Sequence, residues 1–532
     1  MIESRIEERN NNYQKLPDYS TVLQKREEGA IQLRKKKRTE NTLKKRALLA
    51  PEIIEADPSL LERPKTPLNF RYSSTLIELC PALGTFDISP NDKISILFEL
   101  IKKPQNLEIT SELVKLLRKI FSSEQNPPLA EAVTSGVSIV LIELLRTAPL
   151  YIKLEAAWCI INLTCSPPDV ADLLIQQGAA QALLENLDSD SLDLVDLCVW
   201  AFGNIATNSV KDRNMVIKMK IIDKLLQICE RKMTNTLIED ISWVISCLTM
   251  HNPPTDPNEF YKFLDYLPIF FEANNNRAIE DSCKTLVFLT NQGSEWIDKV
   301  IKTGLLPKIA ELLVSSVASL QFLALKILGN VATGDEEQTD LAINLGLADQ
   351  IGQVLMPTAV SSVKMECLWA ISNILAGTAA QVTLIINKPY FPKIVNLMID
   401  SDSAMRKEAI WAISNATFCK DPETILSLLQ FPVLEYFTEA FELNDIKIYH
   451  SVISAIYNIL KSGQQRLKNG KNLAAVKFEE LGGVEILEEI FRKHGDAASK
   501  KTQRILEEFY GIIEEDEEIQ ILTEVPATFI FS

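Results

Sequence analysis

DLCVWAFGNIAT, residues 196–207, places a tryptophan four residues before an asparagine inside an apolar helical pattern. The same arrangement recurs in EAAWCIINLT (155–164), MECLWAISNILAG (365–377) and KEAIWAISNATF (407–418). Weaker copies that lack one or both anchor residues are EDISWVISCLT (239–249), DSCKTLVFLT (281–290), LALKILGNVATG (323–334) and SVISAIYNILKSG (451–463). The second anchor falls at 162, 204, 247, 288, 330, 373, 415 and 458, in steps of 41 to 43 residues. Five of the six tryptophans share this register, all but Trp296, and chance does not explain that.

A period of about 40–47 residues is typical of armadillo and HEAT repeats, whose helical units bury their apolar faces only by stacking. A second, leucine-rich pattern follows the anchors, often begun by a glycine, as at Gly178, Gly304, Gly346 and Gly482. One step back reaches SELVKLLRKIF (111–121), and one step forward reaches SKKTQRILEEFYGII (499–513). The sequence therefore predicts an all-α, right-handed superhelical armadillo-repeat solenoid of about ten repeats with a basic N-terminal arm.

Length and composition agree with a repeat array. The 532 residues exceed the roughly 250–300 that one core accommodates. Only 18 residues are glycine, which favours helices over sheets with many tight turns. No apolar run approaches the roughly 18–20 residues of a membrane span, and the charged N-terminus is not typical of a secretory signal.

The sequence carries no pattern typical of catalysis or metal binding. None of its nine cysteines forms a CxxC pair, its three histidines are far apart, and we find no Gly-rich phosphate loop or nucleophile motif. The cysteines are better interpreted as small buried hydrophobes in a reducing compartment. We therefore expect neither enzyme activity nor a metal or cofactor.

Charge is divided unevenly along the chain. Residues 25–46 hold ten basic and three acidic residues, a net charge of +7, which leaves −23 for the rest of a chain whose total is −16. An acidic body with a basic arm indicates self-association or a preference for basic ligands. Direct binding of nucleic acid by that body is disfavoured because it would repel phosphates.

The paired anchors predict an extended basic peptide as ligand. Residues four apart lie on one face of a helix, so each intact repeat would present one indole and one carboxamide. A carboxamide both donates and accepts, and so can hold a peptide backbone. Parallel indoles would form slots for aliphatic stems with cationic ends, each cation–π contact contributing about 0.5–2 kcal/mol. A single Trp-x-x-x-Asn would more often be core and helix cap, but four copies in register favour a ligand.

The repeats resemble the importin alpha family over nearly the whole chain. The resemblance lies in segments such as SEQNPPLAEAV (123–133), GNVATGDEEQT (329–339), LWAISNILAG (368–377) and RKEAIWAISNAT (406–417). Catenin-like armadillo proteins share the fold but lack the Trp/Asn array. The resemblance implies a nuclear import adaptor that shuttles between cytoplasm and nucleus.

The N-terminal stretch IQLRKKKRTENTLKKR (31–46) is similar to the family's importin-beta-binding arm. In the family this arm binds importin beta and, when importin beta is absent, mimics cargo in the groove. The resemblance assigns these importin-beta-binding and autoinhibitory roles to the set Arg34, Lys35, Lys36, Lys37, Arg38, Lys44, Lys45 and Arg46. Within that set, the distal cluster Lys44–Arg46 matches the part that mimics cargo. The alternative is a solvated tail or a nucleic-acid-binding arm. For an autoinhibitory arm, tethering at an effective millimolar concentration would make even modest affinity inhibitory.

The resemblance also implies a major peptide site formed by Trp158, Asn162, Trp200, Asn204, Asn208 and Trp243. Its lysine pocket departs from the family pattern. Asn208 replaces an aspartate, Ser166 and Ala171 replace a glycine and a threonine, and Cys247 replaces an asparagine. The lost counter-charge would cost a bound lysine roughly 1.5–3 kcal/mol.

A minor site is implied at Asn330, Gly334, Thr339, Trp369, Asn373, Glu408, Trp411 and Asn415, all of which match the family. Glu408 is expected to receive an arginine, and we expect this site to bind at least as strongly as the major one. Lys284 replaces a tryptophan in the fifth repeat, which predicts that no peptide slot exists there.

The expected organisation is an importin-beta-binding arm and linker at 1–65, a repeat domain at 66–515 and an acidic tail at 516–532. Expected partners are importin beta, proteins bearing nuclear localisation signals, and a nuclear export factor with Ran-GTP. Neither direct nucleic-acid binding nor membrane insertion is expected. Two alternatives remain open. One is a structural or signalling armadillo adaptor for helical or acidic partners, and the other is a specialised importin alpha that serves few cargoes or acts as a chaperone.

Overall fold

The computed structural model describes residues 72–84, 89–122, 127–231, 233–355, 361–399, 401–493 and 497–512. The predicted basic arm and acidic tail lie outside these ranges. The chain divides into two compact units, and the division falls between Asn330 and Val331. Each unit is described by itself below.

The first unit consists of helices joined by short loops, with 3₁₀ turns at Pro81–Gly84, Pro257–Phe260 and Leu312–Val314. Its α-helices are α1 (Ser74–Leu79), α2 (Pro90–Lys102), α3 (Leu107–Phe121), α4 (Leu129–Thr134), α5 (Val137–Thr147), α6 (Leu150–Leu163), α7 (Pro168–Gln176), α8 (Ala179–Asn186), α9 (Leu192–Asn208), α10 (Val210–Lys218), α11 (Ile221–Cys229), α12 (Asn235–Leu248), α13 (Phe263–Glu272), α14 (Asn276–Thr290), α15 (Ser294–Lys302), α16 (Leu306–Glu311) and α17 (Ala318–Val331).

The second unit continues the pattern, with 3₁₀ turns at Leu428–Gln430 and Ala440–Leu443. Its α-helices are α18 (Glu336–Asn344), α19 (Leu347–Val354), α20 (Ser361–Leu375), α21 (Ala379–Ile386), α22 (Phe391–Asn396), α23 (Ser403–Ala416), α24 (Pro422–Ser427), α25 (Val433–Glu439), α26 (Ile446–Gln465), α27 (Leu473–Glu480), α28 (Gly483–Lys493) and α29 (Ala497–Tyr510).

Ten of the described helices, called the anchor helices below, carry the repeat anchors or the positions extrapolated from them. They are 14 to 20 residues long and comprise α3, α6, α9, α12, α14, α17, α20, α23, α26 and α29. Consecutive anchor helices pack together from α3 to α14 in the first unit and from α20 through α23 and α26 to α29 in the second. The prediction of an all-α armadillo-repeat fold, including both extrapolated repeats, is confirmed.

Local sequence explains where these helices begin and what they bury. The N-cap side chains of Thr234 and Asp402 accept backbone N–H bonds at the starts of α12 and α23, which satisfies donors that a helix start leaves unpaired. In α9, Cys198, Phe202 and Ile205 recur at helical spacing and are fully buried. The helix α9 therefore supplies an apolar stripe to the core of the first unit.

The glycines predicted to begin the second helical pattern occupy left-handed backbone. Gly178 and Gly346 have φ of 96° and 94° at the starts of α8 and α19. Lys220 takes the same position before α11 with φ of 58°. A left-handed residue there turns the chain sharply between two helices of one repeat, and glycine does so without a steric penalty.

The cysteines are mostly core residues, as expected. Seven are buried, Cys80 is half-buried and Cys165 is exposed. Burial raises the pKa of the Cys229 and Cys283 thiols to about 12, so these two remain neutral, unreactive thiols near neutral pH.

Candidate peptide-binding face

The five in-register tryptophans lie on the anchor helices at half-buried positions. Trp158, Trp200 and Trp243 belong to the first unit, and Trp369 and Trp411 to the second. Trp296 differs because it is buried in α15, which is not an anchor helix. The half-buried indoles therefore mark one face of the anchor helices where a ligand has access to aromatic surface.

Five of the anchor asparagines bind the preceding repeat through their amide nitrogens. Asn204 Nδ2 donates to Thr164 Oγ1 at 3.1 Å and to the Ile161 carbonyl at 3.4 Å, at the end of α6. Asn415 Nδ2 donates to Ser372 Oγ at 2.8 Å and to the Ser372 carbonyl at 3.2 Å. Bonds of this kind also join Asn162 to Ser122, Asn330 to Val287 and Thr290, and Asn458 to Thr417.

These bonds give the asparagines a role that the sequence analysis missed. They satisfy carbonyl and hydroxyl groups at the end of the preceding anchor helix and fix the plane of each carboxamide. A trace of this role is present in the sequence, because Thr164 and Thr417 each follow an anchor asparagine by two residues and accept from the next one along. We expected carboxamides held ready for a peptide, but part of their bonding capacity connects the repeats.

The indoles at the start of the first-unit face are not parallel. The ring centroids of Trp158 and Trp200 lie 5.6 Å apart with the planes at 73°. This edge-to-face contact is a favoured aromatic geometry because the edge of one ring is positive and the face of the other negative. The expectation of a slot between parallel indoles is therefore wrong for this pair, whose rings contact each other edge to face.

The indole of Trp243 covers the backbone of Gly203 in α9. A Cβ at Gly203 would lie 1.8 Å from Trp243 Cζ3, so no other residue fits there without moving the ring. Gly203 directly precedes the anchor Asn204, and its missing side chain allows the indole to lie against the helix. The FGN sequence of this repeat is thereby explained by a close approach between α9 and α12.

The altered lysine pocket lacks a counter-charge at position 208. Asn208 is half-buried, and its Nδ2 donates to the Thr164 carbonyl at 3.4 Å. Ser166, Ala171 and Cys247 are buried. The amide therefore interacts with the preceding repeat at the position where a carboxylate was expected from the family pattern.

Several acidic residues near the first-unit tryptophans form ion pairs with cations of an adjacent repeat or of their own helix. Arg118 Nε lies 2.5 Å from Glu155 Oε2, and Arg277 Nη1 lies 2.8 Å from Glu239 Oε1. Lys284 Nζ, which replaces an anchor tryptophan, lies 2.7 Å from Asp281 Oδ1. These carboxylates are already neutralised by their own chain, which weakens their attraction for a basic peptide.

The second unit presents a different electrostatic arrangement. Glu366 and Glu408 each lie three residues before a tryptophan, on the neighbouring helices α20 and α23. Burial and the neighbouring Glu366 carboxylate raise the pKa of Glu408 to about 7. The half-buried Glu408 carboxyl group beside the buried Glu366 carboxylate forms a site that a cation stabilises. The planar guanidinium of arginine matches a carboxylate in two parallel bonds.

The remaining residues of the implied minor site shape the backbone around it. A Cβ at Gly334 would lie 1.8 Å from Gln338 Oε1, whose side chain closes a capping box with Asp335 at the start of α18. The buried Thr339 hydroxyl donates to the Asp335 carbonyl at 2.8 Å. Asn330 lies at the end of the first unit, whereas Gly334 and Thr339 lie in the second. The arm residues Arg34–Arg46 lie outside the described part of the chain.

Two negative findings hold for the described residues only. No group of three or more histidine, cysteine, aspartate or glutamate side chains is arranged to hold a metal ion. Within the same ranges, every helix is too short or too polar for a bilayer span.

Comparison with known proteins agrees with this architecture. Residues 9–78 match the importin beta binding domain, and residues 167–207 match the armadillo/beta-catenin-like repeat. Importin subunit alpha-1a of Oryza sativa subsp. japonica is 27% identical over 516 residues, 96% of this chain and 94% of the relative. Importin subunit alpha-4 of Arabidopsis thaliana is 28% identical over 528 residues, 98% and 94% of the two chains.

A solved engineered protein from the Northeast Structural Genomics Consortium shares the fold. It superposes with a TM-score of 0.69 at 19% identity, covering 78% of this chain and 98% of its own. The chain is thus an armadillo-repeat protein with an importin beta binding domain at its N-terminus. Its sequence is similar to those of importin alpha subunits along nearly its whole length.

Proposed function

We propose that this chain carries proteins into the nucleus by holding their basic nuclear localisation peptides against its anchor helices, chiefly those of the second unit. Binding of importin beta through residues 9–78 would link the loaded adaptor to the import machinery. Release in the nucleus would involve an export factor with Ran-GTP, so that the chain shuttles between nucleus and cytoplasm.

The observation that carries the proposal is the Glu366–Glu408 carboxylate pair beside Trp369 and Trp411. An arginine bound there gains a counter-charge and an aromatic surface together. It also offsets the burial and the repulsion from Glu366 that raise the pKa of Glu408. Charge-assisted hydrogen bonds of this kind contribute about 1.5–3 kcal/mol each. The second unit therefore offers more favourable electrostatics for a basic peptide than the first.

Two features reduce the expected affinity of the first unit. The Trp158 and Trp200 rings contact each other, so a lysine stem must separate them before it can lie between them. Glu155 already pairs with Arg118, and Asn208 supplies no charge. These features support a secondary role for the implied major site and a restricted range of cargoes.

The basic arm is proposed to inhibit the free adaptor. Lys44, Lys45 and Arg46 would compete with cargo for the acidic face until importin beta binds the arm. Because the arm is tethered, it competes at an effective concentration on the order of millimolar. Direct nucleic-acid binding forms no part of the proposal, since the body of the chain is acidic.

Titration of a fluorescent bipartite basic peptide into the full-length chain, followed by anisotropy, tests these proposals. We expect weak binding that strengthens when importin beta is added, or when Lys44, Lys45 and Arg46 are replaced by alanine. The double variant W369A/W411A should lose most of the remaining affinity, and W158A/W200A should lose less. Circular dichroism of each variant verifies that the fold is retained.

Other results would contradict specific parts of the proposal. Loss of binding in W158A/W200A alone would place the peptide in the first unit. An affinity unaffected by the arm substitutions or by importin beta would contradict autoinhibition. Absence of binding in all forms, with folding intact, would favour an armadillo adaptor for other partners.

A further inference from the structure

A basic surface stands out near the end of the second unit. Residues 461–478 contain five basic residues and no acidic one, although the body of the chain is strongly acidic. The five are Lys461, Arg466, Lys468, Lys471 and Lys477, and all are exposed. This set is called the basic hairpin surface below, because its central part is a tight hairpin between α26 and α27.

The hairpin turn is well defined. Asn469 and Gly470 have φ of 53° and 75°, the left-handed pair typical of a two-residue turn. Lys468 and Lys471 exchange both backbone hydrogen bonds across it, each at 3.0 Å. The turn therefore fixes these two lysines opposite each other on a short, rigid projection.

Most charges of the basic hairpin surface have no ion-pair partner among the described residues. Arg466 lies 3.5 Å from Glu423, an exposed contact. Lys461 lies over the Tyr457 ring at 5.5 Å. Lys468, Lys471 and Lys477 form no described ion pair. Apolar groups accompany the charges, because Leu467, Leu473 and Val476 are 48%, 51% and 38% exposed.

The chain returns to this surface at the end of the described residues. Tyr510 Oη, in the last turn of α29, donates to the Ala475 carbonyl of α27 at 2.9 Å. Gly511, with φ of 69°, then turns the chain out of the helix, and Ile512 N–H bonds back to the Leu506 carbonyl at 3.1 Å. Ala475 is four residues beyond Lys471, so the chain leaves α29 beside the basic hairpin surface.

The residues that follow Ile512 in the sequence are complementary to the basic hairpin surface in charge and in polarity. Residues 513–532 contain six acidic residues and no basic one, and five of the six are the run Glu514–Glu518. Ile519, Ile521 and Leu522 come directly after this run. An acidic stretch followed by apolar residues matches lysines interspersed with exposed leucine and valine.

We propose that the acidic segment 513–532 docks within its own chain on the basic hairpin surface. The Glu514–Glu518 carboxylates pair with Lys468, Lys471 and Lys477, and the following apolar residues cover Leu467, Leu473 and Val476. The attachment at Tyr510 makes this contact intramolecular, with an effective concentration on the order of millimolar, so weak exposed ion pairs suffice to maintain it. An acidic partner protein could bind this surface only by displacing the segment.

Zero-length carbodiimide cross-linking of the full-length chain, read by mass spectrometry, tests the proposal. We expect cross-links from Lys468 and Lys471 to carboxylates of residues 514–518, and we expect them to disappear at high salt, where exposed charges are screened. Mixing isotopically light and heavy copies separates links within one chain from links between chains. Light–heavy links at the share expected from random pairing of the chains would overturn the proposal and indicate that a second copy occupies the surface.

Hydrogen exchange of residues 464–477 supplies a second readout. Replacing the five acids at 514–518 by glutamine and asparagine should speed exchange there several-fold, and K468E/K471E should have the same effect. The matched variant K393E/K420E changes the same charge at exposed lysines of other repeats and should leave exchange at 464–477 unchanged. The docking would be refuted if no cross-links formed and if residues 464–477 exchanged at the same rate in three proteins: the wild type, the variant with neutral residues at 514–518, and K468E/K471E.

Discussion

Asn204 Nδ2 donates to the hydroxyl of Thr164, 3.1 Å away and forty residues earlier in the chain. The bond joins the C-terminal part of one anchor helix to the C-terminal end of the previous one, where carbonyl groups lack helical partners. Because Asn330, Asn415 and Asn458 make corresponding bonds, the asparagine series contributes to repeat stacking as well as to the proposed binding face.

Thr164→Val tests this structural role without altering the asparagine. Valine has nearly the shape of threonine but cannot accept the bond from Asn204, and Thr164 is buried. We expect the free energy of unfolding to fall by about 1–2 kcal/mol, measured by chemical denaturation. Peptide affinity should change less than twofold, because the second unit is expected to hold the peptide.

The exposed Thr134, whose hydroxyl bonds only within its own helix α4, supplies a matched control. Thr134→Val should leave the free energy of unfolding nearly unchanged. If Thr164→Val is as stable as Thr134→Val, the bond between Asn204 and Thr164 contributes nothing measurable to stacking.

The repeat architecture could be predicted from the sequence because periodicity determines it directly. The 42-residue register located the anchor helices, including the two extrapolated ones. SELVKLLRKIF lies within α3, and SKKTQRILEEFYGII lies in α29 as far as Tyr510. Glycines at the starts of the second helices were also recognisable, since φ of 96° at Gly178 is a conformation that few other residues adopt.

The details of the candidate face could not be predicted in this way. Whether Trp158 and Trp200 are parallel or edge-to-face depends on the rotation between α6 and α9 and on side-chain rotamers, which a period does not specify. Likewise, no sequence pattern showed that Arg118 and Arg277 neutralise acids of the neighbouring repeats. These relationships join residues 37 and 38 positions apart and arise only when the repeats stack.

Glu408→Gln should weaken binding of an arginine-containing basic peptide by roughly 10- to 100-fold at pH 8, the equivalent of one charge-assisted hydrogen bond. The amide keeps the size of the side chain but carries no charge. Anisotropy titration at fixed salt measures the change. Glu435→Gln, at an exposed position of α25, should have no effect.

The affinity of the wild type should also depend on pH. With a pKa of about 7, Glu408 is largely ionised at pH 8 and largely protonated at pH 6, and an arginine binds the ionised form. Affinity should therefore fall by about tenfold from pH 8 to pH 6, and Glu408→Gln should lose this dependence. A wild-type affinity that is constant over this range would contradict the assignment of Glu408 to the peptide site.

The same carboxyl group predicts how the pH changes stability. The pKa of Glu408 is raised in the folded chain above its ordinary value of 4.5. Protonation of Glu408 therefore favours the folded state. This contribution to the free energy of unfolding is complete below pH 4.5 and is lost as the pH rises through about 7. The wild type loses this contribution as the pH rises, whereas Glu408→Gln has no such group to ionise. The free energy of unfolding of Glu408→Gln minus that of the wild type should therefore rise by about 1–2 kcal/mol from pH 5.5 to pH 8. Denaturation curves of both proteins at the two pH values measure the difference, and an equal pH response in both would exclude burial of this charge.

Lys220→Gly should stabilise the chain, although it removes a side chain. Lys220 occupies the turn before α11 with φ of 58°, where equivalent turns at Gly136 and Gly178 use glycine. A non-glycine residue in left-handed backbone costs about 1–2 kcal/mol, whereas the exposed ion pair between Lys220 and Glu259 contributes only about 0–1 kcal/mol. We therefore expect a gain of roughly 1 kcal/mol in the free energy of unfolding. Lys220→Ala, which loses the ion pair but keeps the strained backbone, is the control and should be no more stable than the wild type. A glycine variant less stable than the alanine variant would show that the left-handed turn at position 220 carries no strain.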